Sequence, residues 1–295
     1  SSTAGSFTPS DSEFSVTAER PPYYGHGGGD KVLHVWKDAP GTGCGTNWLN
    51  ACRTWNEVRA AWSSLSGIEE IWVIDVDKDT ESTAAISVSS NLVVRGGFSN
   101  MWDSAEQRLE GAKSTVDPQK SYDAFIFTIS SGTLEVERIV FTGAPAHGLT
   151  KSGAGDLWVH DCDFWANARD RGGNFTGRGL CVSGTAGTSV AAVSNCTFRG
   201  NGMFAGGDYN LGYGAGAYFA NQKRVYIDDC LFMTNGVGIN SGYGRDVADG
   251  TAIYATTAPL TMRNTKIIAN TGTTRDNSST ETEGNMNGGA VRLEG

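Results

Sequence analysis

The sequence predicts an all-β fold, a right-handed parallel β-helix in which short strands wind into a solenoid. Three observations predict it. One segment pattern recurs along the chain at a period of 34 or 35 residues, and self-similarity at such a period is typical of solenoids. Apolar and polar residues alternate within each copy, which is the period of a half-buried strand. Glycine accounts for 40 of the 295 residues and charged residues for only 19%, a composition suited to many turns.

Four segments carry the clearest copies of the repeat, at 157–167, 191–201, 225–235 and 260–270. Each copy has one slot for an Asp or Asn, filled by Asp161, Asn195, Asp229 and Asn264. The next slot takes a small residue, namely Cys162, Cys196, Cys230 or Thr265. An apolar slot and a final Asn slot follow, filled by Phe164, Phe198, Phe232 and Ile267 and by Asn167, Asn201, Asn235 and Asn270. A fainter copy at 134–144 places Ile139 and Phe141 in equivalent slots.

The alternation shifts its phase at the Asp or Asn slot. In residues 225–232, Val225 and Ile227 define one apolar face, which Cys230 and Phe232 continue after Asp229. Because Asn and Asp tolerate left-handed backbone angles, this shift indicates a sharp bend. Each copy therefore predicts a strand, a tight corner and a second strand. Glycine-led segments predict a third strand in each coil, at 179–182, 216–219, 250–254 and 289–293.

Equivalent residues of successive coils would stack about 4.8 Å apart. We therefore expect three ladders in the core: a row of Cys162, Cys196 and Cys230, a stack of Phe164, Phe198 and Phe232, and an amide ladder of Asn167, Asn201, Asn235 and Asn270. The Cα spacing of the Cys row lies within disulfide range. Neighbours in a parallel ladder point the same way, however, so buried thiols are favoured over disulfides there.

The N-terminal part predicts a tail and a cap. Residues 1–30 are rich in Ser, Thr and Gly and predict an extended tail that precedes the main domain at 31–295. Residues 31–68 predict the cap, with a strand at 32–37 and a short amphipathic helix that runs from a capping box at Thr54 and Glu57 to about Leu65. Strands of the first coils are expected at 71–76, 84–88 and 92–94. The helix should cover strand edges and core at the N-terminal end.

Polar excursions interrupt the strands at 99–121, 166–178, 199–213, 235–250 and 270–288. The last four recur once per coil and should emerge on one side, where solenoids usually bind their partners. Residues 288–295 begin another coil without a visible cap, which predicts an open C-terminal coil. Uncovered strands are a template for the strands of another chain.

Cysteine spacing predicts one structural disulfide. Cys44 and Cys52 flank a short loop, and closing it would fix the entry to the first coil. The remaining thiols have neither a CxxC spacing nor a nearby His pair, so the sequence predicts no metal site, and no cofactor is expected. The run Asp75-x-Asp77-x-Asp79 resembles the start of a calcium loop. It lacks the Gly and the closing Glu of such loops, which favours solvated loop charges.

Charge and hydropathy limit the classes of binding partner and the cellular location that the sequence predicts. The net charge of −9 and the pI near 4.9 argue against nucleic acid or an anionic membrane as a partner, because both reward a basic face. No segment is long and apolar enough to predict a membrane span. The chain starts with Ser-Ser-Thr and not with Met, which is typical of a processed, secreted protein. We therefore expect an extracellular location at the cell surface.

Two segments resemble a known family. GTGCGTNWLNACRTWNEVRAAWSSLSGIEEIWVIDV at 41–76 resembles the N-terminal signature of secreted bacterial right-handed β-helix proteins. NLVVRGGFSNMWDSAEQR at 91–108 is similar to the Gly-Gly-Phe coil of the same proteins and of polymorphic outer-membrane proteins and adhesins. The resemblance covers roughly residues 32–295 and implies a β-helix fold and export. It implies little about activity.

Three classes of function remain open, because a fold does not give a function. The first is an extracellular structural or adhesive surface protein that associates end to end into a filament or a sheath-like array. The N-terminal tail and the open C-terminal coil would then make contacts between copies, since a head-to-tail contact that does not close generates a filament. No residue is assigned a catalytic role in this hypothesis.

The second class is a polysaccharide lyase or hydrolase, which needs clustered carboxylates or a metal-assisted base. Asp228 and Asp229 are adjacent, Asp161 and Asp163 lie near His160, and the alternation puts His160, Asp228 and Arg263 on one outward face. The requirement for Asp161 and Asp229 at the corner competes with this interpretation.

The third class is a carbohydrate- or receptor-binding module without catalysis. Its candidate residues are Trp158, Tyr218 and Tyr226, which alternation predicts to point outward and which could stack on sugar rings or bind a ligand on a host or cell surface. Scattered exposed aromatic residues are also ordinary on sheets, so the sequence alone does not separate the two interpretations.

Overall fold

The structure is a computed structural model. It describes residues 31–41, 43–45, 47–77, 85–99, 108–118, 123–170, 175–185, 187–206, 211–241, 247–276, 285–287 and 289–295. The expected tail at 1–30 and Asp79 of the acidic run lie outside the described residues.

Within these ranges the protein is mostly β, with one α-helix, α1 (Trp55–Ser64), and a short 3-10 helix, Trp48–Asn50. The strands are β1 (Val32–Trp36), β2 (Glu70–Asp77), β3 (Ile86–Val88), β4 (Leu92–Arg95), β5 (Ser114–Asp117), β6 (Asp123–Ile129), β7 (Thr133–Glu137), β8 (Ile139–Thr142), β9 (His147–Ser152), β10 (Asp156–His160), β11 (Asp163–Trp165), β12 (Ala168–Asp170), β13 (Phe175–Thr176), β14 (Leu180–Ser183), β15 (Val190–Ser194), β16 (Thr197–Arg199), β17 (Gly202–Gly206), β18 (Leu211–Tyr213), β19 (Ala217–Ala220), β20 (Arg224–Asp228), β21 (Leu231–Met233), β22 (Gly236–Ser241), β23 (Val247–Asp249), β24 (Ile253–Thr256), β25 (Leu260–Arg263), β26 (Lys266–Ile268), β27 (Thr271–Asp276), β28 (Asn285–Asn287) and β29 (Val291–Glu294).

The described strands form four sheets, and neighbouring strands in each of them run parallel. A 14-stranded sheet has the order β25-β20-β15-β10-β7-β4-β2-β5-β8-β11-β16-β21-β26, with β1 beside β2. A seven-stranded sheet has the order β29-β24-β19-β14-β9-β6-β3, and two four-stranded sheets have the orders β12-β17-β22-β27 and β13-β18-β23-β28. Strands therefore pair with their equivalents one repeat away, as in Leu157 with Ala191 and Ala191 with Val225.

The Asp or Asn slot forms the corner between the two halves of the large sheet. The four corner residues have positive φ values of 56°, 47°, 49° and 46°, at Asp161, Asn195, Asp229 and Asn264. Arg138 takes the same conformation in the fainter copy, with φ 54°. The left-handed angle reverses the alternation, so the apolar residues on both sides of the corner face the core.

A second left-handed corner was not predicted from the sequence. It lies one residue before the Asn slot and is occupied by Ala166, Gly200, Thr234 and Ala269, with φ values of 53°, 62°, 54° and 51°. Only one of these four is a glycine, so the composition of the slot gives no conformational signal. The hydrogen bonds made by the Asn residues that follow hold the backbone at this corner.

The Asn slot forms a continuous hydrogen-bonded ladder. Asn201 Nδ2 donates to the carbonyl of Phe164 at 2.9 Å and to Asn235 Oδ1 at 2.9 Å. Its Oδ1 accepts from the backbone N–H of Asn167 at 3.2 Å and from Asn167 Nδ2 at 3.0 Å. Asn235 repeats the pattern with Asn270. Each amide thus satisfies backbone groups that the corner would otherwise leave buried and unpaired.

Aromatic rings stack on the core side of the same strands. The rings of Phe164 and Phe198 have centroids 4.6 Å apart and those of Phe198 and Phe232 are 4.4 Å apart, with interplanar angles of 4° and 1°. Phe141 extends the stack by one repeat, at 5.0 Å from Phe164. The thiols of the small-residue slot are buried beside the stack, and each lies near backbone carbonyls, as in Cys196 Sγ at 3.1 Å from the carbonyl of Ser194.

Helix α1 packs against this core. Its buried residues are Trp55, Val58 and Ala61, and Trp55 stacks on Phe125 with centroids 3.8 Å apart. Thr54 Oγ1 accepts from the N–H of Glu57, as a capping box requires. Glu57 Oε2 accepts from the N–H of Arg53 at 2.7 Å, one residue earlier than in the standard motif.

The disulfide of the N-terminal region joins Cys44 to Cys52, whose Cα atoms lie 4.2 Å apart. Cys52 is fully buried, and its backbone bonds to β1: it donates to the carbonyl of His34 at 2.9 Å and accepts from Trp36 at 2.8 Å. The bond therefore attaches the preceding loop to the first strand.

The expected excursions contain strands of their own. Residues between the large sheet and the seven-stranded sheet form β12, β13 and their equivalents, which stack in the two four-stranded sheets. The connection from the large sheet to the seven-stranded sheet grows from repeat to repeat. It spans 15 positions from Trp165 to Leu180, 18 from Arg199 to Ala217, 20 from Met233 to Ile253 and 23 from Ile268 to Val291.

Each of three described excursions ends on a glycine with positive φ, namely Gly177, Gly214 and Gly250, at 54°, 58° and 53°. A Cβ at Gly177 would lie 2.3 Å from the carbonyl oxygen of Leu180, so a larger residue would clash as well as strain the backbone. The third strand of each repeat begins after these turns, at Leu180, Ala217 and Ile253, slightly later than the sequence predicts.

The second corner yields a test of backbone strain. Thr234 has φ 54°, whereas the equivalent Gly200 has open space around its Cβ position. We expect Thr234→Gly to raise the free energy of unfolding by roughly 0.5–1 kcal/mol, because relief of left-handed strain exceeds the entropy cost of glycine. Urea denaturation of Gly200→Thr should show a loss of similar size, and equal stabilities would contradict the strain argument.

The amide ladder yields a second test. Asn201→Ala removes hydrogen bonds at a fully buried position and leaves backbone groups of two neighbouring repeats without partners. We expect a loss of about 3–5 kcal/mol in the free energy of unfolding. The control is Asn270→Ala at the end of the ladder, where the side chain is partly exposed and about 1 kcal/mol is expected. If Asn270→Ala lost more unfolding free energy than Asn201→Ala, the result would contradict a ladder whose interior members contribute most.

Candidate functional site

A cluster of charged side chains lies on the 14-stranded sheet, on the strands that precede the Asp or Asn corner. One register position runs through seven adjacent strands, occupied by Trp72, Arg95, Glu137, His160, Ser194, Asp228 and Arg263. Neighbouring positions of a parallel ladder lie about 4.8 Å apart, which brings the side chains of Arg95 and Glu137 into direct contact. The expected common face of His160, Asp228 and Arg263 is therefore present in the register.

Arg95 is the buried centre of the N-terminal part of this row. Its Nε lies 2.7 Å from Glu70 Oε2, and its Nη1 bonds Glu137 Oε1 at 2.5 Å. Arg108 Nη2 reaches the same Glu137 oxygen at 3.0 Å. Burial alone lowers the pKa of Arg95, but Glu137 and Glu70 outweigh it and raise the pKa above its usual value. The guanidinium is thus a fixed cation between two carboxylates.

His160 continues the pattern one repeat further. Its Nε2 lies 3.0 Å from Glu135 Oε1 and its Nδ1 lies 2.9 Å from Asp161 Oδ2. Burial opposes the charged imidazole, but hydrogen bonds to Asp161 and Glu135 outweigh it and raise the pKa of His160 to about 10. The bond from His160 lowers the pKa of Asp161 to about 2. At neutral pH the ring is therefore a cation held by two carboxylates, and a group with this pKa is poorly suited to exchange protons in catalysis.

Glu135, Glu137 and His160 are the one group of possible metal ligands found among the described residues, with ligand atoms within 4.8 Å of one another. Two carboxylates and an imidazole can coordinate a divalent cation. Here, however, both nitrogens of His160 carry hydrogen bonds to carboxylates, and Glu137 is engaged by Arg95 and Arg108. The arrangement fits an ion-pair network better than a metal site.

The carboxylates proposed for catalysis do not converge on one point. Asp161 and Asp229 turn the corner in different repeats, and Asp163 is paired with Lys113 Nζ at 2.8 Å. Asp228 lies two repeats from His160 in the register, about 9.6 Å along the sheet. Its Oδ1 accepts from the N–H of Asp229 at 3.1 Å and from Asn264 Nδ2 at 3.3 Å. These carboxylates therefore form the corners of the backbone or make hydrogen bonds and ion pairs with neighbouring residues.

The three aromatic residues proposed for ligand binding do not share a surface. Trp158 and Tyr226 occupy one row of the large sheet, separated by the buried Ala192. Tyr218 lies on the seven-stranded sheet, where its ring stacks on Tyr254 with centroids 5.6 Å apart. All three are half-buried. Their role in ligand binding stays a prediction, because alternation separates outward from inward residues but does not distinguish one outer face from another.

Sequence reasoning missed two kinds of residue. Glu135 and Glu137 lie in the fainter copy of the repeat, 25 and 23 positions before His160, and only the register brings them together. Trp165 follows the core residue Phe164 directly and is 53% exposed. The alternation already places Trp165 outward, so this signal was available.

Comparisons with known proteins identify no relative. No family model, no curated protein and no solved structure matched the chain. The resemblance to secreted bacterial β-helix proteins therefore stays a prediction. Among the helices that the structure describes, none has the length and apolar character needed to cross a membrane.

The His160 network yields a pH prediction. A pKa raised from 6.5 to about 10 on folding adds stability that is complete below pH 6.5 and is lost as pH rises through 10. We expect His160→Gln to be less stable than the parent by roughly 2–4 kcal/mol at pH 6, with the difference shrinking toward pH 10.

Urea denaturation at half-unit pH steps checks this expectation. The facing groups are Glu135, Glu137 and Asp161, and the lowered pKa of Asp161 keeps that carboxylate ionised throughout this window. A difference between the two proteins that stays constant from pH 6 to pH 10 would show that His160 contributes packing and not charge.

Proposed function

We propose that the protein is an extracellular structural and adhesive surface protein, built as a right-handed parallel β-helix and able to associate end to end. The single observation that carries the proposal is the matched register of all four sheets. Each of the four repeats from β10 onward passes through the same sequence of sheets, and the repeats pair with their neighbours in every sheet. This arrangement makes a rigid body that lengthens by one strand spacing per repeat.

Several contacts support the winding of the sheets around one core. Leu180 of the seven-stranded sheet belongs to the same buried cluster as Leu157 and Phe164 of the large sheet. From β10 onward, the chain enters the two halves of the large sheet, then the small sheets, then the seven-stranded sheet, before it returns. Parallel crossovers are right-handed in nearly all proteins, which favours the right-handed form.

The use of polar side chains supports a structural role. The Asn slot satisfies the second corner, the Asp or Asn slot turns the first, and the charged row forms internal ion pairs. These groups have partners within the fold, and their hydrogen bonds span neighbouring repeats. A catalytic centre needs instead groups that converge on one point where a substrate can sit.

The disulfide supports an extracellular location. Disulfides persist in oxidising compartments and are rare where thiols are kept reduced. The Cys44–Cys52 bond lies beside the first strand, next to the helix that covers the core. An extracellular location also agrees with the secreted family that the sequence resembles.

End-to-end association is supported by the last described repeat. Among the described strands, β25, β26 and β29 each have a neighbour on one side only. Apolar side chains of this repeat are exposed, with Met262 at 39% and Leu293 at 60%. Their equivalents Ile227 and Ala255 in the preceding repeat are 1% exposed. We propose that the surface formed by β25, β26 and β29 accepts a second copy of this chain.

The test is sedimentation velocity over a range of concentrations. The unchanged chain should form species larger than a monomer as concentration rises. Met262→Lys and Leu293→Lys should each weaken the association at least about tenfold, because a charge would be desolvated in the contact. The control is Leu109→Lys. Leu109 is 64% exposed, similar to Leu293, and lies away from the surface formed by β25, β26 and β29. A monomer at every concentration, or equal weakening by the control, would overturn the end-to-end contact.

A further inference from the structure

Trp165 is the most exposed aromatic side chain among the described large hydrophobic residues, at 53%. It lies at the end of β11, on the outer face of the second half of the large sheet. Most large aromatic side chains of the described core are buried, including Phe164 directly before it. Leaving an indole in water forgoes the burial that stabilises the rest of the fold. A single exposed apolar residue is common, so the surroundings of Trp165 decide whether it has a role.

The backbone beneath Trp165 is rigid. Strand β11 pairs with β8 on one side and with β16 on the other, and the register joins Trp165 to Thr142 and to Arg199. Phe164 fixes the strand from the core side through rings stacked at 5.0 and 4.6 Å. The next residue, Ala166, donates its N–H to the carbonyl of Arg199 at 3.0 Å. A ligand therefore meets a surface whose backbone is already ordered, which lowers the entropy cost of binding.

A cationic residue occupies the register position next to Trp165. Arg199 holds the equivalent position in the next repeat, about 4.8 Å along the sheet. Its side chain is exposed, and it makes no hydrogen bond or ion pair with any described residue. Asp163, the acidic residue on the same face of β11, is already paired with Lys113 at 2.8 Å. The guanidinium is therefore available to an anionic group from outside the chain.

An indole face next to an available guanidinium is complementary to a sugar that carries a carboxylate. The apolar face of a pyranose ring can lie on the indole, while the planar guanidinium can bind a carboxylate through two parallel hydrogen bonds. The hydroxyls of Thr142 and Thr197 border the same surface and can bond sugar hydroxyls. We infer that Trp165 and Arg199 form a binding site for a glycan that contains uronic acid residues.

The net charge limits the kind of glycan. With −9 on the whole chain, a long polyanion is repelled by the protein as a whole. Only the local cation attracts a carboxylate, so the expected ligand is a short uronate oligosaccharide or a glycan in which acidic residues are separated by neutral ones. This inference gives the adhesive part of the proposed function a ligand class and rests on it.

The experiment measures binding of uronate trisaccharides by isothermal titration calorimetry, with trigalacturonate, triglucuronate and trimannuronate as probes. The methyl ester of each trisaccharide keeps the ring and removes the charge. We expect at least one acid to bind, with its ester about tenfold weaker. Trp165→Ala should weaken the acid about tenfold, and Arg199→Gln should weaken the acid but not the ester.

Trp158→Ala is the matched control, because Trp158 is half-buried on the other half of the sheet. It should bind the acid like the unchanged chain. Thermal unfolding of each variant shows that a loss of binding is not a loss of fold. No binding by the unchanged chain, binding that Trp165→Ala leaves unaltered, or equal affinity for acid and ester would overturn the inference. Sedimentation velocity on the same samples measures end-to-end association independently. The proposal of glycan binding and the proposal of end-to-end association can therefore fail separately.

Discussion

The rest of the structure depends on parallel pairing of each repeat with its neighbours in an unshifted register. Once Leu157, Ala191, Val225 and Leu260 are aligned, every other slot is aligned with them. Identical side chains then lie about 4.8 Å apart. This spacing suits flat rings, which stack, and amides, which donate to the next amide. It does not suit a row of like charges, and the charged row alternates between acids and bases where its members are buried.

This constraint explains which parts of the fold could be predicted from the sequence. The corner at Asp161 and its equivalents was visible because Asp and Asn have a known preference for left-handed angles. The second corner at Ala166, Gly200, Thr234 and Ala269 was not, because tertiary contacts and not residue preference impose its angle. The phenylalanine stack and the asparagine ladder followed from the repeat alone, as their spacing is fixed by strand pairing.

The candidate sites were harder to predict, because they depend on which outer face a side chain occupies. Alternation placed Trp158, Tyr218 and Tyr226 outward, but Tyr218 belongs to a different sheet. The partners of His160 came from a copy of the repeat too faint to be aligned by residue type. His160 and Glu135 are far apart in sequence, and only the register of the parallel strands brings them into contact. The exposed Trp165 differs from the buried Phe164 by one position, so a single strand contributes to both the core and the surface.

The lengthening excursions have a consequence for how such a protein changes over time. The large sheet keeps a step of 34 or 35 residues, while the connections to the seven-stranded sheet grow from 15 to 23 positions. The growth is offset on the opposite flank, where the step from the seven-stranded sheet back to the large sheet falls from 11 positions (Leu180 to Ala191) to 8 (Ala217 to Val225) and 7 (Ile253 to Leu260). The circumference of a repeat therefore stays constant while residues are redistributed between its two flanks. A lineage of such proteins can diversify both flanks in this way without altering the stacked core.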